Sequence, residues 1–214
     1  MNEFTTILKN EMAEIVEKKS KFIANIFYVE NVEEAEAKVK EVKRKYYDAK
    51  HNCIAYRVIE NGRIVEKSSD DGEPSGTAGG PMLNILQKNN LCNLVVIVTR
   101  YFGGILLGTG GLVRAYSEAT QKAIEKSIKV SKIDGIEIQV RVDYAKLDAF
   151  KYYCRNNEID IVKIEYKEDI VLKIEMEKSR KNIFLKNIET KTLNIKEYQV
   201  IQEKYITKTV EKNK

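Results

Sequence analysis

The pattern of apolar and polar positions divides the chain into short alternating runs and runs with helical spacing. Ile15–Val29 contains the tract KFIANIFYV, alternating and rich in aromatics, which predicts a strand. Asn31 stands three residues before Glu34, a variant of the capping box, and Val32, Ala35, Val39, Val42 and Tyr46 follow at three- and four-residue steps. That spacing predicts a helix with Lys38, Lys43, Arg44 and Lys45 on its solvated side. His51–Glu60 alternates, Asn61-Gly62 is a hairpin turn signal, and Arg63–Lys67 returns as the partner strand. After the loop Ser68–Gly80, Pro81 suits the first position of a short helix to Lys88, and LVVIVT at Leu94–Thr99 reads as a buried strand. Arg100–Gly111 is a glycine-rich connection into a helix over Leu112–Ser127.

From Ile133 the predicted order is strand, helix, strand, strand, helix, strand: Ile133–Val142, Ala145–Asn156, Ile159–Tyr166, Ile170–Met176, Ser179–Glu189 and Leu193–Ile206, with Lys167–Asp169 as the central turn. This βαββαβ order is the ferredoxin-like, split-βαβ plan. The expected fold class is α+β, as two α/β-sandwich domains. Ten of the 11 glycines and both prolines precede residue 112, which places a boundary near residue 130. The expected division is 1–130, 131–206, and a charged tail 207–214 that frays.

Composition narrows the function classes. With 37 basic against 32 acidic residues, a formal charge of +5 permits contact with nucleic acid without requiring it. No apolar run is long enough for a membrane span, and no secretory signal pattern opens the chain, so no membrane partner is expected. Cys53, Cys92 and Cys154 are odd in number and widely spaced, consistent with a reduced cytoplasmic setting. With a single histidine and no cysteine pair, no metal and no cofactor are expected.

Three segments carry candidate chemistry. The first is the acidic loop, in which Ser69, Asp70, Asp71, Glu73, Ser75 and Thr77 stand among glycines. Its carboxylates suit acid–base or cation chemistry, and the same residues suit caps and turns. The second is the glycine-rich connection, where Arg100, Gly103, Gly104, Gly108, Thr109, Gly110, Gly111 and Arg114 surround a helix entrance suited to an anion. It matches neither a Walker loop nor a Rossmann fingerprint, and Tyr101 and Phe102 are expected in the core. The third is His51-Asn52-Cys53-Ile54-Ala55-Tyr56-Arg57, with His51 and Arg57 as further candidates. On one strand, side chains two residues apart stand about 7 Å from each other, too far for a direct His51–Cys53 dyad.

Read in order, the motifs H-x-C-x-A-Y-R, S-D-D-G-E-P-S-G-T-A-G-x-P and T-R-Y-F-G-G-x-x-L-G-T-G-G-L-V-R-A-Y, preceded by Lys18-Lys19-Ser20-Lys21-Phe22-Ile23, resemble the YigZ/Impact family over nearly the whole chain. The resemblance implies an N-terminal domain similar to ribosomal-protein and elongation-factor domains of the left-handed βαβ type, and a ferredoxin-like C-terminal domain. It implies a role connected with translation, since eukaryotic Impact proteins act in its control by interfering with activation of a stress-responsive kinase. Those relatives carry an additional N-terminal domain absent from this sequence, so the kinase-pathway role is not expected to transfer. The expected function is a non-enzymatic binding protein whose glycine-rich segment contacts RNA, the ribosome or a translation-related protein. The alternatives are an enzyme on a phosphorylated or acidic small molecule with the acidic loop as acid and base, and a C-terminal sheet that docks a partner.

Overall fold

The computed structural model describes residues 3–208, and the predicted tail beyond them lies outside the described residues. The chain divides into two compact units, Glu3–Ser131 and the segment from Lys132 onward.

In the first unit, β1 (Glu3–Ile7) is followed by β2 (Glu11–Glu17), β3 (Ser20–Tyr28), α1 (Val32–Lys45), β4 (His51–Glu60), β5 (Arg63–Ser69), α2 (Gly79–Lys88), β6 (Leu94–Tyr101) and α3 (Gly108–Lys126). The order β2-β3-β6-β4-β5 forms one sheet, antiparallel at every pairing. β3 and β4 are therefore parallel, joined through α1, with β6 between them. α1 covers one face, burying Ala35, Val39 and Val42 against Ile54, Tyr56, Val95 and Ile97. α2 and α3 cover the other, where Phe22, Ala24, Ile26, Val96 and Val98 meet Met82, Leu86, Leu112, Ala119 and Ala123. The α1 cap forms as expected: Glu34 N–H donates to Asn31 Oδ1 at 2.8 Å, and Glu34 Oε2 accepts from Glu30 N–H at 2.9 Å.

Three expectations are corrected here. The segment before KFIANIFYV is a second strand, β2, because Lys18 and Lys19 adopt φ of +44° and +66° and close a two-residue hairpin loop between paired Glu17 and Ser20. α2 begins at Gly79, two residues before Pro81, because Asp70 caps its first N–H groups from outside the helix. α3 begins at Gly108, so Gly108–Gly111 is its first turn rather than a connection.

The second unit comprises β7 (Lys129–Val142, whose first residues lie in the first unit), α4 (Leu147–Asn156), β8 (Asp160–Tyr166), β9 (Ile170–Glu177), α5 (Lys181–Glu189) and β10 (Glu197–Thr207). Its strands run β10-β7-β9-β8, all antiparallel, which is the split-βαβ arrangement. Both helices start two residues later than expected, each preceded by a single 3-10 turn, Tyr144–Lys146 and Lys178–Arg180. Ile136, Ile138, Val140, Leu172, Ile174 and Met176 pack against Phe150, Cys154 and Phe184. The opposite face is charged and self-neutralised, with Lys204 Nζ 2.7 Å from Glu137 and 2.5 Å from Glu175. Thr207, assigned to the tail by composition, is still in β10 and pairs with Lys132. Among the described residues no helix is long and apolar enough to cross a membrane.

Candidate functional site

The inner face of the first sheet ends in a row formed by Phe22, Arg100 and His51, which are cross-strand partners on β3, β6 and β4. Over this row close the acidic loop on one side and the glycine-rich segment on the other. Arg100 is 6% exposed and Glu73 8% exposed, so both charges lie out of bulk water. One guanidinium nitrogen, Nη1, donates to Glu73 Oε1 at 2.7 Å and Oε2 at 2.9 Å. Tyr116, from the third turn of α3, donates its hydroxyl to Glu73 Oε1 at 2.7 Å. Phe22 meets the Tyr116 ring edge-on at 5.1 Å, and Phe22 and Phe102 each lie 5.6 Å from the Arg100 guanidinium carbon. Arg100 Nε is buried and has no hydrogen-bond partner among the described residues. Burial raises the Tyr116 hydroxyl well above its ordinary pKa, with Cys53 and Glu73 adding to it, so the phenol is a fixed donor.

The other acids of the loop are also engaged. Asp70 accepts from the N–H groups of Gly76, Ala78 and Gly79 at 2.8, 2.9 and 2.9 Å. Burial opposes its charged form, but these three donors outweigh burial and hold its carboxyl below the usual range. Asp71, at φ +45°, accepts from Asn52 N–H at 2.7 Å and from Lys43 Nζ at 2.6 Å. Its carbonyl accepts from His51 Nδ1 at 2.9 Å, while His51 Nε2 lies 4.0 Å from Glu73. Ser69 Oγ accepts from Asp71 N–H, Thr77 donates to Pro74 O at 2.6 Å, and Ser75 is exposed.

Cys53 donates its thiol to Asp70 O at 3.0 Å, and burial pushes its pKa up to about 12. His51 and Cys53 thus serve two different carbonyls and form no dyad. Among the described residues no group of three or more His, Cys, Asp or Glu side chains is arranged to hold a metal.

The structure brings Arg100, Glu73, His51, Asp70 and Asp71 together and leaves Arg57 elsewhere. Arg57 lies toward the far end of β4, donating to Glu66 at 2.7 Å and to Leu91 O at 3.0 Å. Arg100, expected as a contact for an external anion, is committed to Glu73. Phe102, expected in the core, is 55% exposed because it lies one residue beyond the end of β6, where its ring rests against Arg100 at the rim of the sheet. Tyr101 is half-buried and donates to Asp48 at 2.7 Å. Tyr116 escaped the sequence reading, since its helical spacing marks only a core position.

The glycine-rich segment is shaped by one close approach. Gly103 N–H donates to Ser20 Oγ at 3.1 Å, and a Cβ at Gly103 would stand 2.0 Å from the Lys19 carbonyl carbon, so the Lys18–Lys19 turn rests directly on this segment. Beyond it, Ile105 and Leu106 are exposed, as are Gly108, Thr109 and Gly110. The first turn of α3 has no side-chain cap and no acidic residue, and Arg114 extends its guanidinium to Gly110.

Comparison with known proteins agrees with this architecture. Residues 18–124 match the model of the Impact N-terminal domain, and residues 140–191 match a domain of unknown function, DUF1949. The chain is 35% identical to the IMPACT family member YvyE of Bacillus subtilis, over 86% of this chain and 84% of that protein. It is 34% identical to the IMPACT family member YigZ of Escherichia coli, over 73% and 78%. A crystal structure of a hypothetical protein superposes with a TM-score of 0.64 at 29% identity, covering 95% of this chain and all of the other. On the two matched domains and on identity over most of its length, the chain belongs to the IMPACT family.

Proposed function

We propose that this chain is a non-enzymatic, translation-associated binding protein of the cytoplasm that engages its partner through the exposed glycine-rich segment between β6 and α3. One observation carries the reading. Each carboxylate of the acidic loop is consumed by internal partners, Asp70 by three backbone N–H groups, Asp71 by Lys43 and a backbone N–H, Glu73 by Arg100 and Tyr116. A general base needs a lone pair turned toward a substrate, and these point inward. The loop therefore works as a brace that fixes the start of α2 and holds α3 through Tyr116, while the neighbouring segment is left exposed. The association with translation follows from the family resemblance, and the partner classes it supports are RNA, the ribosome or a translation-related protein.

Co-sedimentation of the full chain with ribosomes and with ribosome-free translation extract, across a series of salt concentrations, tests the proposal. Retention that weakens in Leu106→Ser and Arg114→Glu is expected. No association with either fraction at low ionic strength, or association indifferent to both substitutions, overturns it.

A further inference from the structure

The tip that precedes α3 combines exposed apolar side chains with Lys18, Lys19 and Arg114, which form no ion pair among the described residues. Phe102, Ile105 and Leu106 are 55%, 43% and 81% exposed within five residues of one another. Single exposed apolar residues are ordinary, but a cluster of this kind on a loop marks a contact surface. Between Arg100 and Ser117 the sequence has no Asp or Glu. The exposed Lys18 and Lys19 are held against this segment by the backbone contact at Gly103.

The two helix entrances of the same face are treated differently. α2 has its first N–H groups satisfied by the Asp70 carboxylate, as the positive end of a helix favours. α3 has no cap and no acid in its first turn, and the guanidinium of Arg114 lies beside Gly110. A cation there adds like charge to the positive end of the helix dipole, and the first N–H groups of the helix have no side-chain cap. Nothing within the described residues relieves this arrangement, and a carboxylate from outside would.

The occupant follows from the combination. Phosphate and base recognition uses cations and aromatic planes, and a polynucleotide gains little from Ile105 and Leu106. Aliphatic side chains are covered by the apolar side chains of another polypeptide, and Lys18, Lys19, Arg114 and the start of α3 complement acidic groups around them. The geometry points to this tip as the docking surface for a protein segment that presents apolar side chains flanked by Asp or Glu. The apolar residues cover Phe102, Ile105 and Leu106, and the carboxylates meet the uncapped start of α3 and the three cations. This specifies the partner class of the contact surface proposed above and rests on that reading.

Random peptides displayed on phage and selected on the full chain, with the Leu106→Ser chain as counter-selection, provide the probes. Enriched peptides are then synthesised and titrated by fluorescence anisotropy beside a single-stranded uridine oligonucleotide. The expected result is enrichment of peptides with two or more apolar residues bordered by Asp or Glu. Their affinity should fall about tenfold or more in Leu106→Ser, as for a residue central to an interface, and lose salt dependence in Lys18→Gln/Lys19→Gln. Leu106 is exposed, so its replacement leaves the fold intact. Enriched peptides that lack acids, or no enrichment, refute the inference. Oligonucleotide binding that depends on Leu106 and Arg114 refutes it while sparing the proposed contact surface, and Leu106-dependent self-association in sedimentation velocity refutes it in favour of a second copy. Failure of every probe at this surface removes both readings.

Discussion

Removing the Glu73 carboxylate by Glu73→Ala strands a cation in the interior. The Arg100 side chain is 7% exposed and that of Glu73 2%, and Nη1 donates to both oxygens of this one carboxylate. The Tyr116 hydroxyl, 2.7 Å from Oε1, loses its acceptor at the same time. Breaking one side of a buried ion pair costs about 3–5 kcal/mol, because the surviving charge is left without solvent or counterion. Against a domain stability of roughly 5–15 kcal/mol, that is a fall of roughly 10–20 °C in Tm. Glu73→Ala with Arg100→Met removes the stranded charge and should recover more than half of the loss, since a buried pair replaced as a unit is often close to neutral. The chain has no tryptophan and divides into two compact units, so urea unfolding is best followed in the first unit alone, by the amide NMR signals of β3 and β6. A loss below about 1 kcal/mol for Glu73→Ala, or a double variant no more stable than the single one, refutes the account of Glu73 as a structural brace.

Other outcomes follow from the same geometry. Asp70→Asn should destabilise by about 1–3 kcal/mol at neutral pH by weakening the acceptor for three backbone donors. Because the folded carboxyl is held below its unfolded value of about 3.9, its contribution is present above that pH and lost as pH falls through the folded pKa, so the two proteins should converge in acid denaturation curves. The buried thiols of Cys53 and Cys154, each pushed up to about 12, should resist a thiol reagent at pH 8 and react once urea unfolds the chain; fast labelling of the folded protein would contradict their burial. Gly103→Ala, whose Cβ would meet the Lys19 backbone, should cost about 1–3 kcal/mol or more, whereas Gly104→Ala, with φ +83° and open space around it, should cost only about 1 kcal/mol of backbone strain. Equal melting temperatures for the two would argue against the close approach.

Local chemistry explains what the sequence revealed. The Asn31 cap, the Asn61-Gly62 turn and the βαββαβ order of the second unit are written in neighbouring residues, and each appears where its pattern predicts. The start of α2 was misread because its cap is supplied by Asp70, eight residues before Ala78. Gly108–Gly111 was misread because glycine is a poor helix former, and packing of Leu112 and Ala115 against the sheet outweighs that local preference. Glu73 and Arg100 stand out in the sequence one by one, but their pairing and the part of Tyr116 do not. Glu73, Arg100 and Tyr116 come from a loop, a strand and a helix, separated by 27 and 43 positions from Glu73, and only the packing of the three brings them together. Phe102 looks like any aromatic beside a buried strand until the end of β6 is fixed.

The Lys18–Lys19 hairpin turn sets two kinds of fitness against each other. Both residues hold positive φ, a conformation that costs a lysine about 1–2 kcal/mol and costs glycine almost nothing. Asn-Gly at these positions would give a more heat-resistant chain, and a search for thermostability alone would arrive there. It would also erase two cations from the rim of the tip. Under the docking proposed above, this strained turn is a place where heat resistance and recognition pull in opposite directions.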